Sequence, residues 1–110
     1  MAKSKIETYL GFCVRAGKVA YGVDNVEKAK KGVYLLIADE ELGANSFKIM
    51  IKAREKLECP LLIASKGVLS EFLHRSAVKT VAIKEKNLAA AMLSAIADEP
   101  QFKLYSGGNN

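Results

Sequence analysis

The chain has 110 residues, half of them hydrophobic, and its 17 Lys and Arg against 12 Asp and Glu give a formal net charge of +5 and a pI near 9.3. That length fits one domain with enough apolar material to cover both faces of a small sheet, which excludes a chain disordered beyond its ends. The basic excess favours a polyanionic partner without naming one, and no apolar run approaches the roughly 20 residues that a membrane span needs.

The opening MAKSKIETYLGF has neither a long apolar core nor a small-residue cleavage pattern, so the expectation is a soluble, cytoplasmic protein with no membrane association. Ser4 and Glu7 have the spacing of a capping box, and Ile6, Tyr9, Leu10 and Cys13 recur at helical intervals until Gly17 stops the run, which predicts a first helix. KVAY reads as a short strand. Gly22 then releases the chain into a second, lysine-studded helix that Asp24 is placed to cap, with Glu27 three residues on and Gly32 at its end. VYLLIA is a continuous run of strand formers, as in a central strand covered on both faces.

After the polar loop DEELGANS, Phe47, Met50, Ile51 and Leu57 predict a third helix, with Asn45 or Ser46 as its N-cap and Cys59-Pro60 as its break. LLIA is the next buried strand. Val68, Leu69, Phe72 and Leu73 predict a short fourth helix, TVAI a fourth strand, and Leu88, Met92, Leu93 and Ile96 the buried stripe of an alanine-rich last helix that ends before Pro100. Residues 101–110, closing on SGGNN, read as a flexible tail beyond a single domain of residues 1–100. Five helices alternating with four strands predict a three-layer α/β/α sandwich around a four-stranded parallel or mixed sheet, with the strand ends as its functional rim.

An enzyme needs a converging acid, base or nucleophile, and the chain offers one histidine, two isolated cysteines and dispersed carboxylates, none with a motif partner. His74 reads as a helix-end residue at the carbonyl end of the dipole, with a catalytic role as the alternative. Cys13 and Cys59 read as buried free thiols, with a disulfide between them as the alternative. They make no zinc set with a single histidine, and neither GxGxxG nor GxxxxGK[ST] occurs. The expectation is a non-enzymatic protein without metal or cofactor.

The stretch GKVAYGVDNVEKAKKG, residues 17–32, is different. It places Asp24, Asn25 and Lys28 in the first turn or so of the second helix, with Asp24 and Lys28 on adjoining surface. Asn offers both amide functions to a base edge, Lys reaches guanine O6 and N7, and a carboxylate accepts from the amino and imino protons of an exposed guanine. The plain alternative is a capped surface helix with Lys28, Lys30 and Lys31 in water.

LGFCVRAGKVAYG, the lysine-rich helix after it, YLLIADEELGANSFK, and ASKGVLSEFL before TVAI together resemble, in order and spacing, the kink-turn RNA-binding ribosomal proteins. That family includes the archaeal large-subunit protein seven-Ae and the eukaryotic protein thirty-e, and the likeness is strongest to its small bacterial YlxQ-type members. It covers about residues 8 to 97. The resemblance implies a thirty-e-like α/β/α sandwich that binds a sharply bent RNA duplex with tandem sheared G·A pairs, where the kink opens a groove that regular A-form RNA keeps too narrow to read. It also implies a structured-RNA partner, kink-turn or ribosomal, with the ribosome as the assembly and a monomer as the protein's own state.

Carried over from the family's motif, the contact set becomes Gly22, Asp24, Asn25 and Lys28, in which the carboxylate and the amide stand in reversed order. A second family contact, an apolar loop after the fourth helix, falls on HRSAVK, residues 74–79. There Ala77 and Val78 would supply the apolar contact while Arg75 and Lys79 meet phosphate, and Ser70 and His74 replace family glycines. The alternative for Val78 is a place in the core at the start of the last strand. Arg15 and Lys18 flank the same rim and, with Lys31, would extend the basic footprint, with solvated surface charge as the alternative. Two other functions remain in view, a protein-interaction module on the same fold that has lost RNA affinity, and a small nucleotide or metabolite enzyme with a deep polar pocket.

Overall fold

The computed structural model describes residues 4–107. In chain order the elements are α1 (Lys5–Arg15), β1 (Val19–Tyr21), α2 (Val23–Lys28), β2 (Leu35–Asp39), α3 (Ala44–Leu57), β3 (Leu61–Ala64), α4 (Val68–Leu73), β4 (Thr80–Ile83), α5 (Lys86–Ala95), a turn of 3-10 helix (Ile96–Asp98) and β5 (Phe102–Leu104). The five strands form one mixed sheet in the order β1-β4-β2-β3-β5. Only β2 and β3 run parallel, joined through α3 as a parallel pair requires; every other pairing is antiparallel.

Helices cover both faces. Ile6, Leu10 and Cys13 of α1, Leu69 and Leu73 of α4 and Ala89 and Met92 of α5 pack with Leu35, Ile37, Val81 and Ile83 into one core. Val26 of α2 and Met50 and Ala53 of α3 pack with Leu36, Ala38, Leu61 and Ala82 on the other side. β2 is buried along its whole length because alternate residues serve opposite cores. Cys13 and Cys59 are free thiols in these opposite cores, which removes the disulfide alternative.

The predicted cap of α1 is half local and half tertiary. The Ser4 hydroxyl accepts from the Glu7 N–H at 3.1 Å. The reciprocal place belongs to Glu99 rather than Glu7: its carboxylate accepts from the Lys5 and Ile6 N–H groups at 2.8 and 3.2 Å and from the Ser4 hydroxyl. These free N–H groups need an acceptor wherever it lies in the chain, and Glu99 provides it from beyond α5.

Three local expectations are corrected. The second helix ends at Lys28 rather than near Gly32, and its N-cap is Gly22, so Asp24 sits inside the first turn and caps nothing. Lys30 and Lys31 add no apolar stripe that would hold a further turn against the sheet. The third helix starts from Gly43, with Asn45 and Ser46 already helical. The sheet has five strands rather than four, because Phe102–Leu104, expected in a flexible tail, pairs antiparallel with β3. Phe102 is buried in the first core and Tyr105 meets Phe47 edge to face at 5.5 Å. Residues 108–110 of the expected tail lie outside the described residues. Among the described residues no helix is long and apolar enough to cross a membrane.

Candidate functional site

β1, β2 and β3 all end on the same edge of the sheet, where β4 begins. The Gly22 N–H donates to the Thr80 carbonyl at 3.2 Å and the Asp39 N–H to the Lys79 carbonyl at 2.8 Å, which draws the start of α2 and the loop before β4 together. Gly22 makes the corner possible. Its φ of 88° and ψ of 150° are open to glycine and strained for other residues.

The resulting groove, about 340 Å³, is lined by Gly22, Arg75, Ala77, Val78 and Lys79, with Tyr21, Leu42 and Ser46 among the remaining walls. Two segments predicted separately from the sequence, the strand end at Gly22 and the loop after α4, therefore meet at one place. Their link is a side-chain contact that the sequence reading missed: the Arg75 guanidinium lies over the Tyr21 ring, 4.0 Å from its centroid. An aromatic residue one position before a required glycine was the available signal.

The loop is held from below. The Ser70 hydroxyl accepts from the Val78 N–H at 2.9 Å and donates to the Val78 carbonyl at 3.4 Å. Val78 packs in the first core and is 8 % exposed. Of its two expected places Val78 takes the one in the core, just before β4, and contributes to the groove only from beneath. Ala77 is exposed, with a left-handed φ of 61°. His74 is the C-cap of α4, also left-handed, and its backbone N–H rather than its ring satisfies the last carbonyls.

On the other side of Tyr21 a second hollow of about 460 Å³ lies between β1, α2 and Lys84, and Asn25, Lys28 and Lys31 line it. Asn25 is exposed and donates an amide N–H to the Tyr21 carbonyl at 2.8 Å. Asp24 is exposed and lines neither hollow. Five basic side chains, Arg75 and Lys79 in the first hollow and Lys28, Lys31 and Lys84 in the second, stand there without a single lining carboxylate. Lys84 was not among the predicted residues, because only the β1–β4 pairing brings it beside this surface.

Lys18 precedes β1, at the opposite end from Gly22, where its carbonyl accepts from the Lys84 N–H at 2.8 Å, so it borders the second hollow without lining it. The Arg15 guanidinium lies over the Phe12 ring at 5.0 Å and lines neither hollow. A helix-strand junction reverses the chain between Arg15 and Val19, and spacing along the sequence does not report that reversal.

Neither thiol is poised for chemistry. Burial raises Cys13 to about 11, with Glu85 adding to the rise, and burial raises Cys59 to about 11 against an opposing pull from Arg54. Among the described residues no three of His, Cys, Asp and Glu gather to hold a metal ion.

No protein-family model matches the chain, and no curated protein does. Among solved structures, a protein of unknown function from Bacillus halodurans is similar in fold, with a TM-score of 0.76 over 86 % of this chain and 99 % of that one at 18 % identity. At that identity the likeness is one of fold alone.

Proposed function

We propose that the chain is a non-enzymatic RNA-binding protein of the kink-turn ribosomal kind, which recognises sharply bent, structured RNA from the cytoplasm, in association with the ribosome. One observation carries this reading: two hollows that meet at Tyr21 bring five basic side chains together with no carboxylate among their walls. A polyanion is the ligand that such a lining favours.

In this reading Lys28 and the exposed amide of Asn25 reach base edges exposed at a kink, while Arg75 and Lys79 meet phosphates on the other side of Tyr21. Val78 supports the loop from within. The reversed order of Asp24 and Asn25 leaves the carboxylate outside both hollows, so base reading falls to Lys28 and Asn25.

The test is a titration of a duplex carrying tandem G·A pairs and of an uninterrupted duplex of equal length, each across a salt series. Wild type prefers the kinked RNA, its affinity falls steeply with salt, and Lys28→Ala weakens kinked-RNA binding by about 1–3 kcal/mol. Equal affinity of Lys28→Ala and wild type at every salt concentration would remove the proposed site. A partner that survives ribonuclease in pull-downs, with no RNA bound, would favour the protein-interaction module instead.

A further inference from the structure

A third surface lies between α2 and α3. Lys48, Lys52 and Lys56 stand in one row along α3, four residues apart and so about 6 Å from one to the next. All three are exposed. Beside them runs the row Asn45, Ile49 and Ala53, and the two rows with Glu27 of α2 line a groove of about 380 Å³. The Lys56 ammonium donates to the Glu27 backbone carbonyl at 2.9 Å, which fixes the far end of the groove and leaves two of its N–H groups free.

We propose that this lysine row is a second RNA contact, a track for the phosphates of the duplex arm that leaves the kink. The inference rests on the RNA-binding reading above and extends it to a second face. Continuity supports it. Asn45 opens the lysine groove and its neighbour Ser46 lines the groove at Gly22, so the two surfaces meet at the first turn of α3. A duplex held at Gly22 and Tyr21 needs only to run along α3 to meet the lysines in turn.

The chemistry of the groove selects backbone over bases. No aromatic ring lines it, so it has no stacking platform for an unpaired base. Ala53 is buried and Ile49 half-buried, so the floor is apolar and the charged groups at its edge are chiefly the lysine ammonium groups. Evenly spaced positive charges over a neutral floor match an evenly spaced polyanion. The single carboxylate, Glu27, stands on the opposite wall.

The experiment is the same salt titration with Lys48→Gln/Lys52→Gln, on the kinked and the uninterrupted duplex, with Lys48→Arg/Lys52→Arg as the charge-preserving control. The expected result is a salt slope reduced by about 1 for each lysine lost, the same for both RNAs, and a wild-type slope for the arginine control. The preference for kinked RNA stays intact, unlike in Lys28→Ala. If wild type binds kinked RNA and the glutamine variant keeps the wild-type slope, the track is overturned while the function stands. If wild type binds neither RNA, both fall. An acidic protein retained through ribonuclease by wild type and lost by the glutamine variant, with the slope unchanged, would give the groove to a polypeptide and also overturn the track.

Discussion

The guanidinium of Arg75 rests 4.0 Å from the centre of the Tyr21 ring, and this contact closes the corner between the end of β1 and the loop after α4. It holds a cation over an aromatic face at the junction of two hollows. Both groups are at least partly exposed, so the attraction contributes about 0.5–1 kcal/mol. A double-mutant cycle with Arg75→Ala and Tyr21→Leu, read by urea unfolding, should return a coupling of that size. A coupling indistinguishable from zero would mean that Ser70 and Val78 alone hold the loop.

Gly22→Ala should destabilise the fold by about 1–3 kcal/mol. A methyl group there meets nothing within 4 Å, so the whole cost is backbone strain at a φ of 88°. Denaturation midpoints at constant m-value measure it. No change in midpoint would show that the corner relaxes into another conformation.

Glu99 is 5 % exposed and is the shared acceptor for the Lys5 and Ile6 N–H groups, the Ser4 hydroxyl and the Gln101 amide. Removing the carboxylate strands several donors at once. Glu99→Ala should cost about 2–3 kcal/mol, with faster amide exchange at Lys5 and Ile6 and protection unchanged at the centre of β2. Uniform loss of protection across the sheet would contradict the local role.

Ser70→Ala removes the side-chain acceptor of the Val78 N–H and should cost about 1–2 kcal/mol. Because it loosens the segment carrying Arg75 and Lys79, it should also weaken RNA binding although Ser70 lines neither hollow. Restoration by Ser70→Thr would identify the hydroxyl as the cause.

Cys13 and Cys59 should resist a thiol reagent in the folded protein at neutral pH and react on unfolding. Their folded pKa values, about 11, exceed the ordinary 9.0, so the folded state holds these protons more tightly. The associated stability is complete below pH 9 and is lost as pH rises through about 11. A midpoint scan over that range, compared with Cys13→Ala/Cys59→Ala, isolates the contribution. Rapid labelling of the native protein at pH 7 would contradict it.

Periodicity alone determined where most elements fall. The stripe Ile6, Leu10 and Cys13, the run LLIA and the run TVAI state their own structure, because burial on one or both faces leaves a period that survives in one dimension. The glycine corner at 22 was likewise legible as turn chemistry, whereas the Ser70 hydroxyl that holds the loop after α4 was not. What the tertiary structure decided is everything that depends on who lies beside whom. Phe102–Leu104 is a strand only because the edge of β3 offers it partners, and Glu99 caps α1 from the far end of the chain. Lys84 joins the basic hollow through the pairing of β1 with β4, Val78 packs into the core, and Arg75 finds Tyr21. Hydrogen-bond pairing across strands and contacts between distant side chains leave no periodic trace in the sequence, so only the folded arrangement of the sheet could assign them.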